Sequence, residues 1–99
     1  MTATPLDVST ARTEDGSTRL TICGEIDMTN SARLAEAISS ASAPVLLDFA
    51  AVEYLDSAGL AVLFAQADRI ELVANRMLLP VLTVSGLTEL ISVREAPAG

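Results

Sequence analysis

Asp56-Ser57-Ala58-Gly59-Leu60 is where chemistry could concentrate in this chain, because it sets a hydroxyl beside a carboxylate at the start of an apolar helical pattern. Read as a helix start, Asp56 or Ser57 is an N-cap, and Ala58 and Gly59 let the first turn approach its neighbours closely. Read as a functional site, the Ser57 hydroxyl stands where free backbone N–H groups and the positive end of the helix dipole can receive an anion. A phosphate ester on Ser57 itself is the obvious anion. Asp56, and Asp27 from an earlier loop, would oppose it with like charge, which makes a repulsive switch. A hundredfold loss of partner affinity needs only about 2.8 kcal/mol, and dipole stabilisation of about 0.3–1 kcal/mol is too small to cancel it.

Catalytic chemistry fits these residues less well. The chain has no His and no Lys, so Ser57 has neither an imidazole nor an amine to take its proton. The order D-S-x-G also differs from the G-x-S-x-G elbow of hydrolases. Asp27 and Asp56 together could hold Mg²⁺ or act on a sugar, but no third ligand is evident and acids at loop ends commonly cap helices. No catalytic residue, metal or cofactor is therefore assigned. Cys23 is the one cysteine; it cannot close an internal disulfide, fits a reducing compartment, and reads as a small buried hydrophobe within a strand. Met28 and Met77 are expected to fill core gaps or lie at loop–helix junctions. Tyr54 is either core or contact surface.

The elements that must position these residues come from a chain of 99 residues, 51% hydrophobic and 3% aromatic. That length supports one small domain, taken as residues 1–99 with a core of about 6–95, burying roughly 60–65% of its unfolded surface. The core has to be aliphatic. Thirteen Asp and Glu against six Arg leave a net charge of −7, which argues against nucleic acid as a partner. No apolar stretch reaches about 18 residues and no leader pattern opens the chain, so direct membrane insertion is not expected and the cytoplasm is.

Along the chain, Pro5–Ser9 reads as an edge strand, Glu14–Ser17 as a turn, and Arg19–Ile26 as a strand with Leu20, Ile22 and Gly24 on one face. Thr29-Asn30-Ser31 caps a helix carrying Leu34, Ala37, Ile38 and Ala41 at helical spacing and ending before Pro44. Val45–Phe49 is a nearly continuous apolar run, expected as a strand covered on both faces or nearly so, followed by a loop over Ala50–Leu55. The second helix presents Leu60, Leu63, Phe64 and Ala67. A strand over Arg69–Ala74 follows within one or two residues, then a third helix between Asn75 and Val84 whose start Pro80 blurs, and a last short strand over Glu89–Arg94. The order β-β-α-β-α-β-α-β predicts an α/β fold with a mixed, mostly parallel sheet and an antiparallel N-terminal hairpin. Functional groups in such sheets gather at the carboxyl ends of the parallel strands, here Gly24-Glu25-Ile26-Asp27 and the segment leading to Asp56-Ser57.

These residues also match a family. Val45 through Leu60, ending in D-S-x-G-L, resembles the central signature of STAS domains of the bacterial anti-sigma factor antagonist type. Gly24-Glu25-Ile26-Asp27 resembles the family's earlier G-x-[LI]-D element, and Ser85-Gly86-Leu87 its late [ST]-G-L. The resemblance covers about Leu6 to Glu95. It implies a STAS-like domain with helices packed mainly on one face of the sheet, and a regulatory binding protein in place of an enzyme. It further implies that Ser57 is the phosphoacceptor for an anti-sigma factor that is itself a serine kinase. The unphosphorylated antagonist would bind that factor and release the sigma factor in a stress response, phosphorylation would end the interaction, and a serine phosphatase would reset it. By the same resemblance Asp27 and Asp56 flank the acceptor, while Met28, Thr29, Asn30, Ala58, Gly59 and Leu60 form the partner-facing surface. The alternative is a STAS scaffold subunit of a lipid-transport ABC complex or stress-signalling assembly, whose binding ignores the state of this serine. The short link from the second helix to the next strand, and Pro80, depart from the family pattern.

Overall fold

The computed structural model describes residues 5–97. Its centre is β2 (Thr18–Ile26), where strict alternation buries Thr18, Leu20, Ile22, Gly24 and Ile26 on one face and leaves Arg19, Thr21, Cys23 and Glu25 on the other. A period of two sends alternate side chains to opposite faces of a sheet, so only one face of this strand needs a cover. β1 (Asp7–Arg12) pairs with it antiparallel, and β3 (Val45–Leu55) pairs parallel on its other side. β4 (Ile70–Ala74) and β5 (Val93–Glu95) extend the parallel part, giving the spatial order β1-β2-β3-β4-β5. Crossovers run through α1 (Ser31–Ser40), α2 (Ser57–Ala65) and α3 (Leu79–Val84), the last followed by a 3₁₀ turn over Leu87–Glu89. The expected α/β class, element order and one-sided helix layer all hold.

The core lies between that layer and the inward sheet face. Phe49, Leu20, Ile22, Leu34, Ile38, Leu47, Leu63, Leu72 and Leu82 are fully buried, each worth about 1.5–3 kcal/mol of apolar transfer free energy.

Several elements differ from expectation. Ala50–Leu55 is strand, not loop. Between Thr21↔Asp48 and Cys23↔Ala51 β3 has one residue more than β2, and the same happens between Gly24↔Val52 and Glu25↔Tyr54. These two bulges shift the inward positions from Val45, Leu47 and Phe49 to Val52 and then Leu55. An insertion of one residue reverses the face of everything after it, so the alternation that marks a strand disappears from the sequence. Gly24, at the second shift, has φ 96°, a conformation that a side chain would strain.

The outward face of β3 is also open where near-complete cover was expected: Leu46 and Asp48 are half-buried, and Asp48 pairs with Arg19 of β2. Cys23, on that same face, is half-buried and not a core residue. The first strand runs later than Pro5–Ser9, because its side chains are nearly all exposed and leave no pattern to read. The last strand is likewise later. Leu87 and Ile91 are both buried, four residues apart, and the N–H groups of Leu90 and Ile91 donate to Leu87 O at 2.9 and 3.1 Å, so the segment coils before it extends. α2 ends at Ala65 and a four-residue turn precedes β4, a longer link than expected. The Arg69 guanidinium in that turn donates to Ile38 O and Ala41 O, tying it to the end of α1.

Candidate functional site

The carboxyl ends of β2 and β3 lie side by side, because the Ile26↔Leu55 register ends both strands together. Each then turns into a helix. After β2, Asp27 to Asn30 form a tight turn in which Asn30 N and Ser31 N donate to Asp27 O at 3.1 and 2.9 Å. Asn30, the residue before α1, does not cap that helix with its side chain. Its Oδ1 accepts from Asp27 N at 2.9 Å and its Nδ2 donates to Glu25 O at 2.9 Å, closing the loop on itself. The Asp27 carboxylate accepts from Thr29 N at 2.9 Å and Thr29 Oγ1 at 2.6 Å. Those Thr29 hydrogen bonds stabilise the ionised form and hold the carboxyl below its ordinary 3.8.

After β3, Asp56 caps α2. Its Oδ1 accepts from Ala58 N at 2.9 Å and Gly59 N at 3.0 Å, two of the N–H groups that a helix start leaves unpaired. Its Oδ2 accepts from Met28 N at 3.1 Å, across from the other loop. The backbone adds Asp56 N to Ile26 O at 3.1 Å. One carboxylate therefore caps the helix and joins the two loops.

The structure thus brings Asp27, Met28, Thr29, Asn30, Asp56, Ser57, Ala58, Gly59 and Leu60 to one edge of the sheet, as anticipated. One expectation is corrected. The N–H groups of Ala58 and Gly59, expected to be open to an anion, are occupied by Asp56. Ser57, the first residue of α2, is exposed, and among the described residues its hydroxyl has no hydrogen-bond partner.

Gly59 shows why this helix starts where it does. A Cβ there would lie 2.6 Å from Leu55 Cδ1 and 2.7 Å from Ile26 Cγ2. Only glycine lets the first turn of α2 rest on the ends of β2 and β3. That contact sets Gly59 and Leu63 inward and leaves Phe64 at the rim, 36% exposed, where an inward position was expected. Every side chain of α2 after Ser57 is apolar or glycine, so periodicity could not choose the face.

Around Ser57 the surface carries apolar side chains without a cover. Met28 is 79% exposed and Tyr54 50%, which places Tyr54 on the surface and Met28 at a loop–helix junction, not in the core; Met77, just before α3, is exposed as well. A groove of about 300 Å³ lined by Val8, Arg33, Glu36, Ala37 and Ser40, and another of about 250 Å³ between Arg19, Leu46, Val73 and Arg94, do not include Ser57. Among the described residues no cluster of three His, Cys, Asp or Glu side chains is placed to hold a metal, and no helix is long and apolar enough to cross a membrane. Sequence reasoning missed Asn75, whose side-chain amide reaches the carbonyls of Phe49, Ala50 and Val52 in β3. Its only signal was an Asn directly after a strand.

A family model described as "Mlab, STAS domain" matches residues 9–92. Among solved structures, the chain is similar to an anti-sigma factor antagonist from Mycobacterium paratuberculosis, with 25% identity, a TM-score of 0.79, and coverage of 95% of this chain and 87% of that one. The anti-sigma factor antagonist SpoIIAA, in its unphosphorylated form, shares the fold at 16% identity and TM-score 0.73, covering 91% and 88%. A protein from Shewanella loihica with a SpoIIAA-like fold aligns at 8% identity and TM-score 0.58, covering 99% and 90%. No curated protein matches the sequence significantly.

Proposed function

Because this chain belongs to the STAS domain family, we propose that it is an anti-sigma factor antagonist whose hold on its partner is ended by phosphorylation of Ser57. In this reading it is a binding protein and a kinase substrate, not a catalyst. It works in the bacterial cytoplasm as part of a stress response, an anti-sigma serine kinase modifies it, and a serine phosphatase restores it. Its resemblance to the mycobacterial antagonist supports the general role; the geometry around Ser57 supports the switch.

The observation that carries the proposal is the free Ser57 hydroxyl beside an already satisfied cap. A phosphate on Ser57 cannot take the Ala58 and Gly59 N–H groups without displacing the Asp56 carboxylate from bonds of 2.9 and 3.0 Å. It therefore stays outward and adds about −1.5 to −2 charge next to Asp56. Two unit charges about 4 Å apart at an effective dielectric of about 20 interact by about 4 kcal/mol. The same pair in bulk water repels by about 1 kcal/mol, so a partner that excludes water from the edge adds about 3 kcal/mol, comparable with the roughly 2.8 kcal/mol of a hundredfold release. In the unmodified protein the Asp56 bond to Met28 N already ties the two loops together.

Intact-mass measurement after incubation with ATP and an anti-sigma serine kinase tests the first half of this reading. A one-phosphate increase that vanishes in Ser57→Ala is expected. No modification, together with unchanged partner binding by Ser57→Asp, would sink the switch and leave a fixed scaffold subunit.

A further inference from the structure

β4 is too short to support all of β3. Their last paired residues are Phe49 and Ala74, whereas β3 continues to Leu55. Among the described residues the strand beyond Phe49 pairs with β2 alone, and it is this stretch that holds both bulges, carries Tyr54 and delivers Ser57. A strand edge left without a neighbour exposes unpaired carbonyls and moves easily. Here the edge is not left open. Asn75, the residue immediately after β4, points its Nδ2 at Val52 O (2.8 Å), Ala50 O (3.2 Å) and Phe49 O (3.4 Å).

The other half of the same amide faces the opposite way. Asn75 Oδ1 accepts from Leu78 N at 3.1 Å, closing the turn that leads to α3. Three acceptors on one side and a donor on the other allow only one orientation of the amide. Within β3 itself, the Asp48 carboxylate accepts from Ala50 N at 3.0 Å. The bulged arm is thus held on the β4 side by one side chain that replaces a missing length of strand.

We propose that Asn75 is a positioning residue for the functional edge: it fixes the bulged end of β3 and so sets where Tyr54 and Ser57 stand. Its consequence for phosphorylation rests on the reading of Ser57 given above; its effect on the arm does not. Asn75 touches neither Ser57 nor the Asp56 cap and acts through the backbone of residues 49–52.

Asn75→Asp separates the two halves of the amide. It keeps an acceptor for Leu78 N but turns an acceptor, and a charge, toward three carbonyls. Tyr54 is the only tyrosine in a chain without tryptophan, so its fluorescence anisotropy reports the arm directly, while amide hydrogen exchange reports each strand separately. The expected result is lower Tyr54 anisotropy and exchange about tenfold faster from Val52 to Ser57, with Leu20, Ile22, Leu34 and Ile38 unchanged. Phosphorylation by the anti-sigma serine kinase should then show a raised KM with little change in kcat. Unaltered anisotropy and exchange, or exchange rising equally in β2 and α1, would overturn the proposal. If Asn75→Asp does not fold, Asn75→Ser, which keeps an acceptor for Leu78 N but is too short to reach Val52 O, is read by the same criteria. A wild-type chain that no such kinase modifies would remove the Ser57 reading, and the anisotropy and exchange results would still decide the role of Asn75.

Discussion

Asp56 bears the most structural weight at the edge where β2 and β3 end, although sequence alone marks Ser57 as the residue of interest. Its carboxylate satisfies two N–H groups at the head of α2 and a third in the neighbouring loop. Asp56→Ala should cost about 0.5–2 kcal/mol, the range for a lost N-cap, read as a lower urea midpoint with unchanged m value. Asp56→Asn, which keeps an acceptor oxygen, should lose less. Asp27 makes a separate prediction about acid. Hydrogen bonds from Thr29 lower its pKa in the folded state, so its contribution is present above the unfolded value, near 3.8, and is lost as pH falls through the lower folded value. Asp15 behaves likewise in the hairpin turn, where the hydroxyls of Ser17 and Thr13 and the Ser17 N–H lower its carboxyl to about 2. Stability measured from pH 5 to pH 2 should therefore fall less steeply in Asp27→Asn than in the wild type.

At the scale of elements, the contact of α2 on the strand ends governs where Ser57 stands. Gly59→Ala gains up to about 1 kcal/mol of helix propensity but drives a methyl into Leu55 and Ile26, a clash worth about 1–3 kcal/mol. A net loss of stability in thermal melts is expected, together with a chemical-shift change at Ser57 as the helix start lifts. Those same contacts mark what the sequence could and could not show. Leu20-Thr21-Ile22 and Leu34-Ala37-Ile38 declare their faces, because each element has one wet and one dry side. Ala50–Leu55 does not, because two bulges break its alternation, and α2 does not, because it is apolar all round. The edge itself was legible, since Asp27 and Asp56 follow strands whose carboxyl ends a parallel sheet sets on the same edge. The occupation of the α2 N–H groups by Asp56, and the reach of Asn75 across to β3, depend on side-chain positions that no spacing rule encodes.

Over the whole molecule, charge is distributed unevenly. The chain carries −7, yet residues 57–67 and 77–88, which include all of α2 and α3, contain no ionisable acid or base. The acidic character is concentrated elsewhere, and at the Ser57 edge it comprises Asp27 and Asp56 beside an uncharged helix, with Glu25 and Glu53 in the strand ends that lead to them. A phosphate on Ser57 therefore changes the local field strongly on a surface otherwise suited to apolar contact with a partner. Because repulsion between partly exposed charges is screened by ions, the affinity difference between the two forms should narrow as salt is raised from 50 to 500 mM. The most direct test of the central claim is a calorimetric titration of the anti-sigma factor with the unmodified protein and with the same protein fully phosphorylated at Ser57. A hundredfold or greater loss of affinity on phosphorylation is the predicted result, and equal affinity of the two forms would contradict it.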